Sequence, residues 1–253
     1  MVEDLNGKRI LVTGASSGLG AHFARLLASR GALVAAAARR TDRLQALAKS
    51  CAGLQGRVEP LALDVGSVAA IEAGVLEAAR LLGGLDVLVN NAGVGETERA
   101  LLVSEAQWDH QLDVNLKGCF FAAQSAARIM ADQASGGAIV NIASILGERV
   151  AGQVAPYAIS KAGLIQMTKA LALEWARHGI RINALAPGYV VTDINRAFFA
   201  GDAGEALKKR IPMRRAGELE DLDGPLLLLC SEAGRYMTGA VVAVDGGHLV
   251  SGL

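Results

Sequence analysis

Tyr157 and Lys161 are the residues in this sequence whose spacing is best suited to acid–base chemistry. Residues four apart lie on one face of a helix, about 5–6 Å apart at Cβ. A phenol has a pKa of about 10 in water, so it is a poor base at neutral pH unless a nearby cation favours the phenolate. Lys161 can supply that cation, and the Ser144 hydroxyl can share a substrate oxygen with the phenol. The three side chains predict proton transfer to or from a carbonyl or alcohol oxygen.

The same pair also has an ordinary structural explanation. Tyr-x-x-x-Lys arises often on amphipathic helices, with the tyrosine half-buried in packing and the lysine solvated. The choice between the two interpretations depends on the rest of the chain and on the elements that would position Tyr157, Lys161 and Ser144.

The composition favours a globular protein with a small-molecule ligand. Apolar residues make up 52% of the 253 residues, far above the level of disordered chains. Lysine plus arginine (25) equals aspartate plus glutamate (25), so no excess charge is available to recruit nucleic acid or an anionic membrane. The cysteines and histidines lack metal-ligand spacing, and we expect packing or surface roles for them and no metal.

The ends and apolar runs of the sequence bear on where the protein is found. Residues 1–5 have neither the basic start nor the apolar core of a signal peptide. No uncharged run approaches the ~18 residues of a membrane span. We therefore expect a cytoplasmic protein with no membrane partner.

A glycine-rich turn follows the first apolar strand, at 10–12. The turn reads Thr13-Gly14-x-x-x-Gly18-x-Gly20, and helical periodicity begins at His22. Glycines let backbone N–H groups approach a phosphate, and a helix N-terminus adds partial positive charge at the same place. The turn is typical of a pyrophosphate site, although an ordinary tight turn explains the spacing as well.

The second strand, at 33–38, ends in Arg39 and Arg40. About 20 residues after such glycines, an acidic residue holds the ribose 2′-hydroxyl of NAD, whereas an arginine accommodates the 2′-phosphate of NADP. Two guanidiniums and no carboxylate stand here, so NADP(H) is predicted in preference to NAD(H). The alternative is that both arginines are solvated residues at a helix start.

Strands and helices alternate along the whole chain without a linker. This pattern predicts one α/β domain over residues 1–253, a doubly wound Rossmann-type domain with a parallel seven-stranded sheet and helices on both faces. Asp64, at the end of the third strand, can accept a hydrogen bond from an adenine amino group or cap the next helix. Asn115 lies within a predicted helix at 104–130, where an asparagine must hydrogen-bond a partner or distort the helix. A second helix, at 155–177, carries Tyr157 and Lys161.

Residues 189–215 interrupt this alternation after the sixth strand. A loop inserted at the carboxyl edge of such a sheet is where ligands bind, so we predict a substrate lid there over an apolar pocket. Phe198 and Phe199 either line that pocket or are plain core residues. The candidate pocket residues are Glu96, Glu148, Gln153, Val190, Phe198 and Phe199.

In their order and spacing, these residues resemble the short-chain dehydrogenase/reductase family in its compact form, along the whole chain. The motifs that carry the resemblance are Thr13-Gly14-x-x-x-Gly18-x-Gly20, Asp64-Val65, Asn90-Asn91-Ala92-Gly93, Asn115, Ser144, Tyr157-x-x-x-Lys161, Pro187-Gly188 and Val244-Asp245-Gly246-Gly247. Because all these motifs occur together, chance is an implausible explanation for the spacing of Tyr157 and Lys161.

The resemblance implies a catalytic role for four residues. Tyr157 would be the general acid in reduction and the base in oxidation, and Lys161 would activate it and hold the nicotinamide ribose. Ser144 would orient the substrate oxygen, and Asn115 would bind a water that relays protons toward Lys161.

The same comparison implies contacts with each part of the nucleotide. The expected contacts are Gly14, Gly18 and Gly20 at the pyrophosphate, Asp64 and Val65 at the adenine, Asn91 and Ala92 at the adjacent ribose and Thr192 at the nicotinamide amide, with Ser16, Ser17, Leu19, Arg39, Arg40, Gly93, Tyr157, Lys161, Pro187, Gly188 and Val190. NADP-preferring members often carry a basic residue where this chain has Ser17, so Arg39 would hold the 2′-phosphate largely alone.

The predicted function is hydride transfer between a nicotinamide cofactor, NADPH preferred, and a small ketone or secondary alcohol. The alternatives are a 3-oxoacyl-(acyl-carrier-protein) reductase-like activity, a dehydration or epimerisation on the same fold, and a non-catalytic nucleotide-binding regulator. Carrier-protein reductases of the family tend to show basic residues where this chain has Ala131-Asp132-Gln133 and Leu173, which disfavours a carrier-bound substrate.

The resemblance also implies a homotetramer, or a homodimer, built through the helices at 104–130 and 155–177. Small side chains on these helices would permit close approach of a second copy, or would pack on the sheet. They are Ala122, Ala123, Ala126, Ala127, Ala170 and Ala172.

Overall fold

The computed structural model describes residues 5–192 and 195–251 of the chain. The strands in this part are β1 (Arg9–Thr13), β2 (Leu33–Ala38), β3 (Arg57–Ala62), β4 (Val87–Asn90), β5 (Gly137–Ile142), β6 (Ile180–Pro187) and β7 (Val241–Val244). Within the described residues they form one sheet of seven strands in the order β3-β2-β1-β4-β5-β6-β7, with every pairing parallel. The predicted single Rossmann-type sheet is confirmed.

Helices cover both faces of the sheet. In the described part of the chain they are α1 (Gly18–Ser29), α2 (Thr41–Ser50), α3 (Val68–Leu82), α4 (Glu105–Leu112), α5 (Gly118–Asp132), α6 (Ala155–Trp175), α7 (Arg196–Phe199), α8 (Asp202–Lys208) and α9 (Asp223–Cys230). Successive strand residues point to opposite faces, so Ile10 and Val12 pack with α1, α2 and α9, while Leu11 packs with α3, α5 and α6. This double burial explains why the strands are apolar on both faces.

The functional edge of the sheet lies where the strand order reverses. From β1 the chain proceeds through β2 and β3 to one side, and then returns with β4 on the other side of β1. In open α/β sheets the crevice at this reversal, outside the carboxyl ends of the strands, is the usual ligand site. The glycine turn follows β1 and Asn91 follows β4, so both predicted nucleotide segments stand at this crevice.

The predicted helix at 104–130 is interrupted at Asn115. Helix α4 ends at Leu112, a π-helical turn covers Asp113–Lys117, and α5 begins at Gly118. A π turn is rare and is frequently found at functional sites. The fully buried Asn115 lies inside it, so the asparagine both distorts the helix and finds partners.

Two other local predictions need correction. Asp64 does not cap α3, because the Ser67 hydroxyl accepts from Ala70 N at 3.3 Å while Asp64 Oδ1 accepts from Gly66 N at 3.0 Å. The predicted helix at 155–177 ends earlier, since α6 stops at Trp175 and a 3₁₀ turn covers Ala176–His178.

The segment at 189–215 contains the two short helices α7 and α8, and its residues 193 and 194 lie outside the described residues. Phe199 is buried and contacts the Tyr189 ring edge-on at 6.5 Å, whereas Phe198 is half exposed. No helix in the described part of the chain is long and apolar enough to cross a bilayer.

Candidate active site

The glycine turn is shaped by backbone conformations that other residues rarely adopt. Gly14 has φ +69° and Gly18 has φ +54°, both in the left-handed region that glycine enters without strain. A Cβ on Gly14 would also lie 2.7 Å from Ala92 Cα, so the turn packs directly on the segment after β4. The absence of a side chain at Gly14 therefore lets the two segments approach this closely.

Thr13 fixes the contact between the two segments. Its buried hydroxyl accepts hydrogen bonds from Asn91 N at 3.0 Å and Ala92 N at 3.1 Å, and donates to Val89 O at 3.4 Å. The Asn91 amide in turn donates to Thr13 O at 2.8 Å. The predicted pyrophosphate and ribose segments are therefore held as one unit before any ligand binds.

A cleft of about 560 Å³ opens along this unit. The predicted nucleotide residues that line it are Gly14, Ser16, Ser17, Gly18, Leu19, Gly20, Arg39, Arg40, Asp64, Val65, Asn91, Ala92, Gly93 and Thr192. Helix α1 starts at its floor, with no acidic residue in the first turn and no side chain capping the N-terminus. Uncapped helix N–H groups beside glycines fit the charge of a pyrophosphate, so the residues present fit a dinucleotide.

Arg40 lies over the glycine turn. Its Nη2 donates to the Ser16 hydroxyl at 2.9 Å and to the Ser17 hydroxyl at 2.8 Å. Arg39 also lines the cleft but has no hydrogen bond or ion pair with any residue in the described ranges. Both arginines were predicted to contact the nucleotide, with Arg39 holding the 2′-phosphate largely alone, but the guanidinium that the turn already holds is that of Arg40, and Ser17 helps to place it.

Lys161 is buried beneath the second half of the site. Its ammonium donates to Ile142 O at 2.8 Å and lies 5.7 Å from the centroid of the Tyr157 ring. The solvated lysine of the structural interpretation is therefore wrong. Ser144 follows the end of β5 and is buried, and its hydroxyl accepts a hydrogen bond from Leu146 N at 3.1 Å.

Asn115 connects the π turn to this catalytic group. Its side-chain amide accepts from Val94 N and donates to Val94 O, both at 2.8 Å, and donates to the Ser160 hydroxyl at 3.1 Å. Ser160 donates to Tyr157 O at 2.7 Å. The side chain of Asn115 thus positions the wall at Val94 and the turn of α6 that carries Tyr157, a link that sequence spacing alone did not reveal.

A second cavity, of about 610 Å³, continues from the cleft and contains the predicted chemistry. The two share Leu19, Asn91, Gly93, Val94 and Thr192. The predicted residues that line the second cavity are Ser144, Tyr157, Lys161, Pro187, Gly188 and Val190. Asn115 lines neither cavity.

The pocket predicted for the substrate is corrected in part. Glu96 and Val190 line the cavity, whereas Glu148, Gln153, Phe198 and Phe199 do not. The walls are also less apolar than predicted, because Thr97, Tyr189 and Asn195 contribute to them. These three lie in irregular segments, where periodicity gives no signal.

The sequence also gave no signal for the contact between His248 and Tyr189, a residue that lines the cavity. The His248 ring lies 5.6 Å from the ring of Tyr189, and Arg149 donates to His248 O and to the Ser251 hydroxyl. Burial and the positive charge of Arg149 lower the pKa of His248. His248 packs as expected, but beside the site and not in a remote core. His22 bonds Asp223 at 2.6 Å.

The cysteines are buried and carry no disulfide in the described residues. Cys119 is the nearest to the site, and burial raises the pKa of its thiol to about 11, against the opposing charge of Lys161. The thiol is therefore neutral at physiological pH and unreactive.

The fold and the two joined cavities define an oxidoreductase of the Rossmann type. In agreement, a model of the short-chain dehydrogenase/reductase family, described as enoyl-(acyl carrier protein) reductase, matches residues 14–248. The chain belongs to the short-chain dehydrogenase/reductase family, and it is an NAD(P)-dependent oxidoreductase.

Curated relatives match nearly the whole chain. It is 37% identical to D-threitol dehydrogenase of Mycolicibacterium smegmatis, over 97% of this chain and 94% of the relative. It is 40% identical to 3-oxoacyl-[acyl-carrier-protein] reductase FabG of Thermotoga maritima, over 97% and 99%. It is 38% identical to 2-dehydro-3-deoxy-D-gluconate 5-dehydrogenase of Escherichia coli, over 97% and 96%.

Solved structures share the fold closely. A short-chain type dehydrogenase/reductase from Mycobacterium marinum has a TM-score of 0.92 at 39% identity, over 98% of this chain and 97% of that one. A gluconate 5-dehydrogenase from Burkholderia cenocepacia, solved with NADP and tartrate, has a TM-score of 0.93 at 34% identity, over 99% and 98%.

Proposed function

We propose that this protein transfers a hydride between NADP(H), preferred over NAD(H), and a small ketone or secondary alcohol. The observation that carries the proposal is the placement of Tyr157, Lys161 and Ser144 in one cavity that continues into the cleft at the glycine turn. A proton donor and a site for a dinucleotide thereby share one space.

The chain's own residues supply the proton and the geometry. In reduction Tyr157 donates its phenolic proton to the substrate oxygen, and in oxidation it removes the proton from the alcohol. The Lys161 ammonium, held by Ile142 O, stabilises the negative charge that develops on the phenol when the proton leaves. The Ser144 hydroxyl orients the substrate oxygen. The nicotinamide, when bound, supplies or accepts the hydride.

Different residues of the cleft would contact different parts of the nucleotide. Gly14, Gly18 and Gly20, which line the cleft, would leave backbone room for the pyrophosphate, and the lining residues after β4 would contact the ribose. Support for NADP(H) comes from the guanidiniums of Arg39 and Arg40 in the cleft wall, because charged hydrogen bonds to a phosphate are about twice as strong as neutral ones. Asn115 has its amide engaged with Val94 and Ser160, and its proposed link to a proton-relaying water stays a prediction.

The test is a panel of ketones and alcohols read by NADPH absorbance in both directions. The panel includes a 3-oxoacyl thioester, because one relative is named a 3-oxoacyl-[acyl-carrier-protein] reductase. We expect turnover by the native protein and a loss of about 10²–10⁴-fold in Tyr157→Phe. Tyr236→Phe, fully exposed and outside both cavities, is the matched control. Unchanged activity in Tyr157→Phe would refute the assignment, and product formed without net nicotinamide change would indicate dehydration or epimerisation.

We further propose that the protein forms a homo-oligomer and is located in the cytoplasm. Five large apolar side chains share one surface of α4, α5 and the π turn: Trp108, Leu112, Leu116, Phe120 and Phe121. Such an exposed apolar surface is typical of an interface. The buried cysteines, which form no disulfide in the described residues, are consistent with a reducing compartment.

A further inference from the structure

Glu96 lines the cavity that contains Tyr157 and Lys161, and its carboxylate has no partner among the described residues. The residue is half-buried and lines the cavity beside Gly95. Among residues 5–192 and 195–251, no side chain or backbone group donates a hydrogen bond to its carboxylate, and no cation pairs with it. Among the described residues, Glu96 has no buried side-chain oxygen that lacks a partner, so the carboxylate is open to solvent and a ligand in the cavity can hydrogen-bond to it.

The backbone around Glu96 is fixed, which gives the carboxylate a defined place. Asn115 holds Val94 at both its N–H and its carbonyl. Gln111 Oε1 accepts from Glu96 N at 3.3 Å, and Gln153 O accepts from Glu98 N at 2.8 Å. Every second residue from Val94 to Glu98 is therefore held by a backbone hydrogen bond. The adjoining Gly95 packs against Tyr157, where an added Cβ would lie 3.4 Å from the ring.

The other charges of the cavity do not balance Glu96. Of the described residues that line it, the only cation is Lys161, whose ammonium is buried and already donates to Ile142 O. The Asn195 amide is used within its own loop, accepting from Thr192 N at 2.7 Å and donating to Val190 O at 2.9 Å. A substrate carboxylate would thus meet a like charge without an arginine or a second lysine to compensate for it.

We propose that Glu96 selects uncharged polyhydroxylated alcohols and ketones and disfavours sugar acids. The carboxylate accepts hydrogen bonds from one or two substrate hydroxyls away from the reacting carbon, a geometry that suits the two oxygens of an ionised carboxylate. A carboxylate on the substrate would be repelled at the same place. This inference rests on the proposed dehydrogenase function.

Matched substrates that differ by one group test the charge selection. We would measure kcat/KM for D-threitol against D-threonate, and for D-glucitol against D-gluconate, with NADP⁺ and NAD⁺. We expect the native protein to favour the neutral member of each pair over the acid by about tenfold or more. In Glu96→Gln, which keeps the shape and removes the charge, this ratio should fall toward one because the acids improve. Glu98→Gln, two residues away and outside the cavity lining, should keep the native ratio.

Two results would overturn the proposal: acids used as well as neutral polyols by the native protein, or an unchanged ratio in Glu96→Gln. Binding of the same ligands to nucleotide-loaded Tyr157→Phe, measured by NADPH fluorescence, gives a readout that needs no turnover. Tighter binding of threitol than of threonate there, abolished by Glu96→Gln, supports charge selection even if the native protein turns over none of these alcohols. Lack of turnover by itself would count only against the proposed function.

Discussion

At the scale of single residues, the contacts of Arg40 bear most directly on the choice between NADP(H) and NAD(H). Its guanidinium already bridges the hydroxyls of Ser16 and Ser17 over the glycine turn. Arg39 lies in the same wall without a partner in the described part of the chain. A side chain that is held in place loses less entropy on binding than one that must be ordered, so Arg40 is prepared for a phosphate and Arg39 is free to reach one.

We predict that Arg39→Ala and Arg40→Ala each weaken NADPH binding by about tenfold or more, because each removes a charged hydrogen bond to the 2′-phosphate. NADH binding should change little, since NADH lacks that phosphate. Fluorescence titration of both nucleotides checks the prediction. Arg43→Ala, in α2 and outside the cleft lining, is the control. Equal losses for NADPH and NADH would contradict a phosphate contact.

At the scale of elements, the site depends on contacts between strand ends that are far apart in sequence. Thr13 joins the end of β1 to the segment after β4, and Asn115 joins the π turn to Val94 and to α6. Each uses one buried polar side chain to satisfy several groups of another segment. Buried polar groups are costly when left unsatisfied, so these two residues fix how the elements are arranged.

We predict that Thr13→Val lowers the free energy of unfolding by about 2–4 kcal/mol, because it leaves the N–H groups of Asn91 and Ala92 without an acceptor. Valine keeps the volume, so the loss reports the hydrogen bonds. Urea unfolding followed by circular dichroism measures it. Thr13→Ser retains the hydroxyl and should recover most of the stability and nucleotide binding, and a serine variant as weak as valine would refute the explanation.

At the scale of the whole molecule, one ion pair joins the amino-terminal ends of two central strands, at the end of the sheet opposite the site. Arg9 in β1 contacts Asp86, just before β4, with Nη2 2.5 Å from Oδ1 and Nε 2.9 Å from Oδ2. Burial alone would raise the pKa of the Asp86 carboxyl, but the hydrogen bonds from Arg9 outweigh it and lower the pKa. A carboxyl with a lowered folded-state pKa stabilises the fold above its unfolded pKa of about 3.9.

We therefore predict that Asp86→Asn costs about 1–3 kcal/mol of unfolding free energy at pH 7. The difference from the native protein should shrink as pH falls below about 4 and through the lower folded-state pKa, because the unfolded chain then binds a proton at Asp86 before the folded protein does. Urea unfolding at several pH values provides the measurement. Glu77→Gln breaks an exposed pair with Arg80 and should change stability little. If the difference in unfolding free energy did not vary with pH, Asp86 would not stabilise the fold through its charge.

The assembly is a property of the same scale. Two roles were open for the alanines of these helices, close approach of a second copy or packing on the sheet. Ala122, Ala123, Ala126, Ala127 and Ala172 are buried in the core of the single chain, which favours packing on the sheet. Ala170 alone of that set lines the exposed apolar surface with Trp108. An interface through these helices would therefore use large side chains.

We predict that Trp108→Lys shifts the protein toward a smaller oligomer, because it places a charge in the apolar contact. Sedimentation velocity over a range of concentrations measures the change. Leu101→Lys alters an almost fully exposed leucine outside that surface and should leave the assembly unchanged. Identical sedimentation of Trp108→Lys and the native protein would place any interface elsewhere.

The order of motifs along the sequence by itself determined the parallel fold and the grouping of Tyr157, Lys161, Ser144 and the glycine turn. The physical reason is that alternating strands and helices form parallel strands whose carboxyl ends all meet at one edge. Residues placed after successive strands must then converge.

Only the tertiary structure decided which side chains meet within that grouping. It placed Arg40 on Ser16 and Ser17, joined Asn115 to Ser160, buried the alanines of α5 and left Glu96 unpaired in the described residues. Such contacts link residues far apart in sequence, and their geometry follows from how whole elements pack. Local periodicity reports the face of a helix or strand and says nothing about its neighbour.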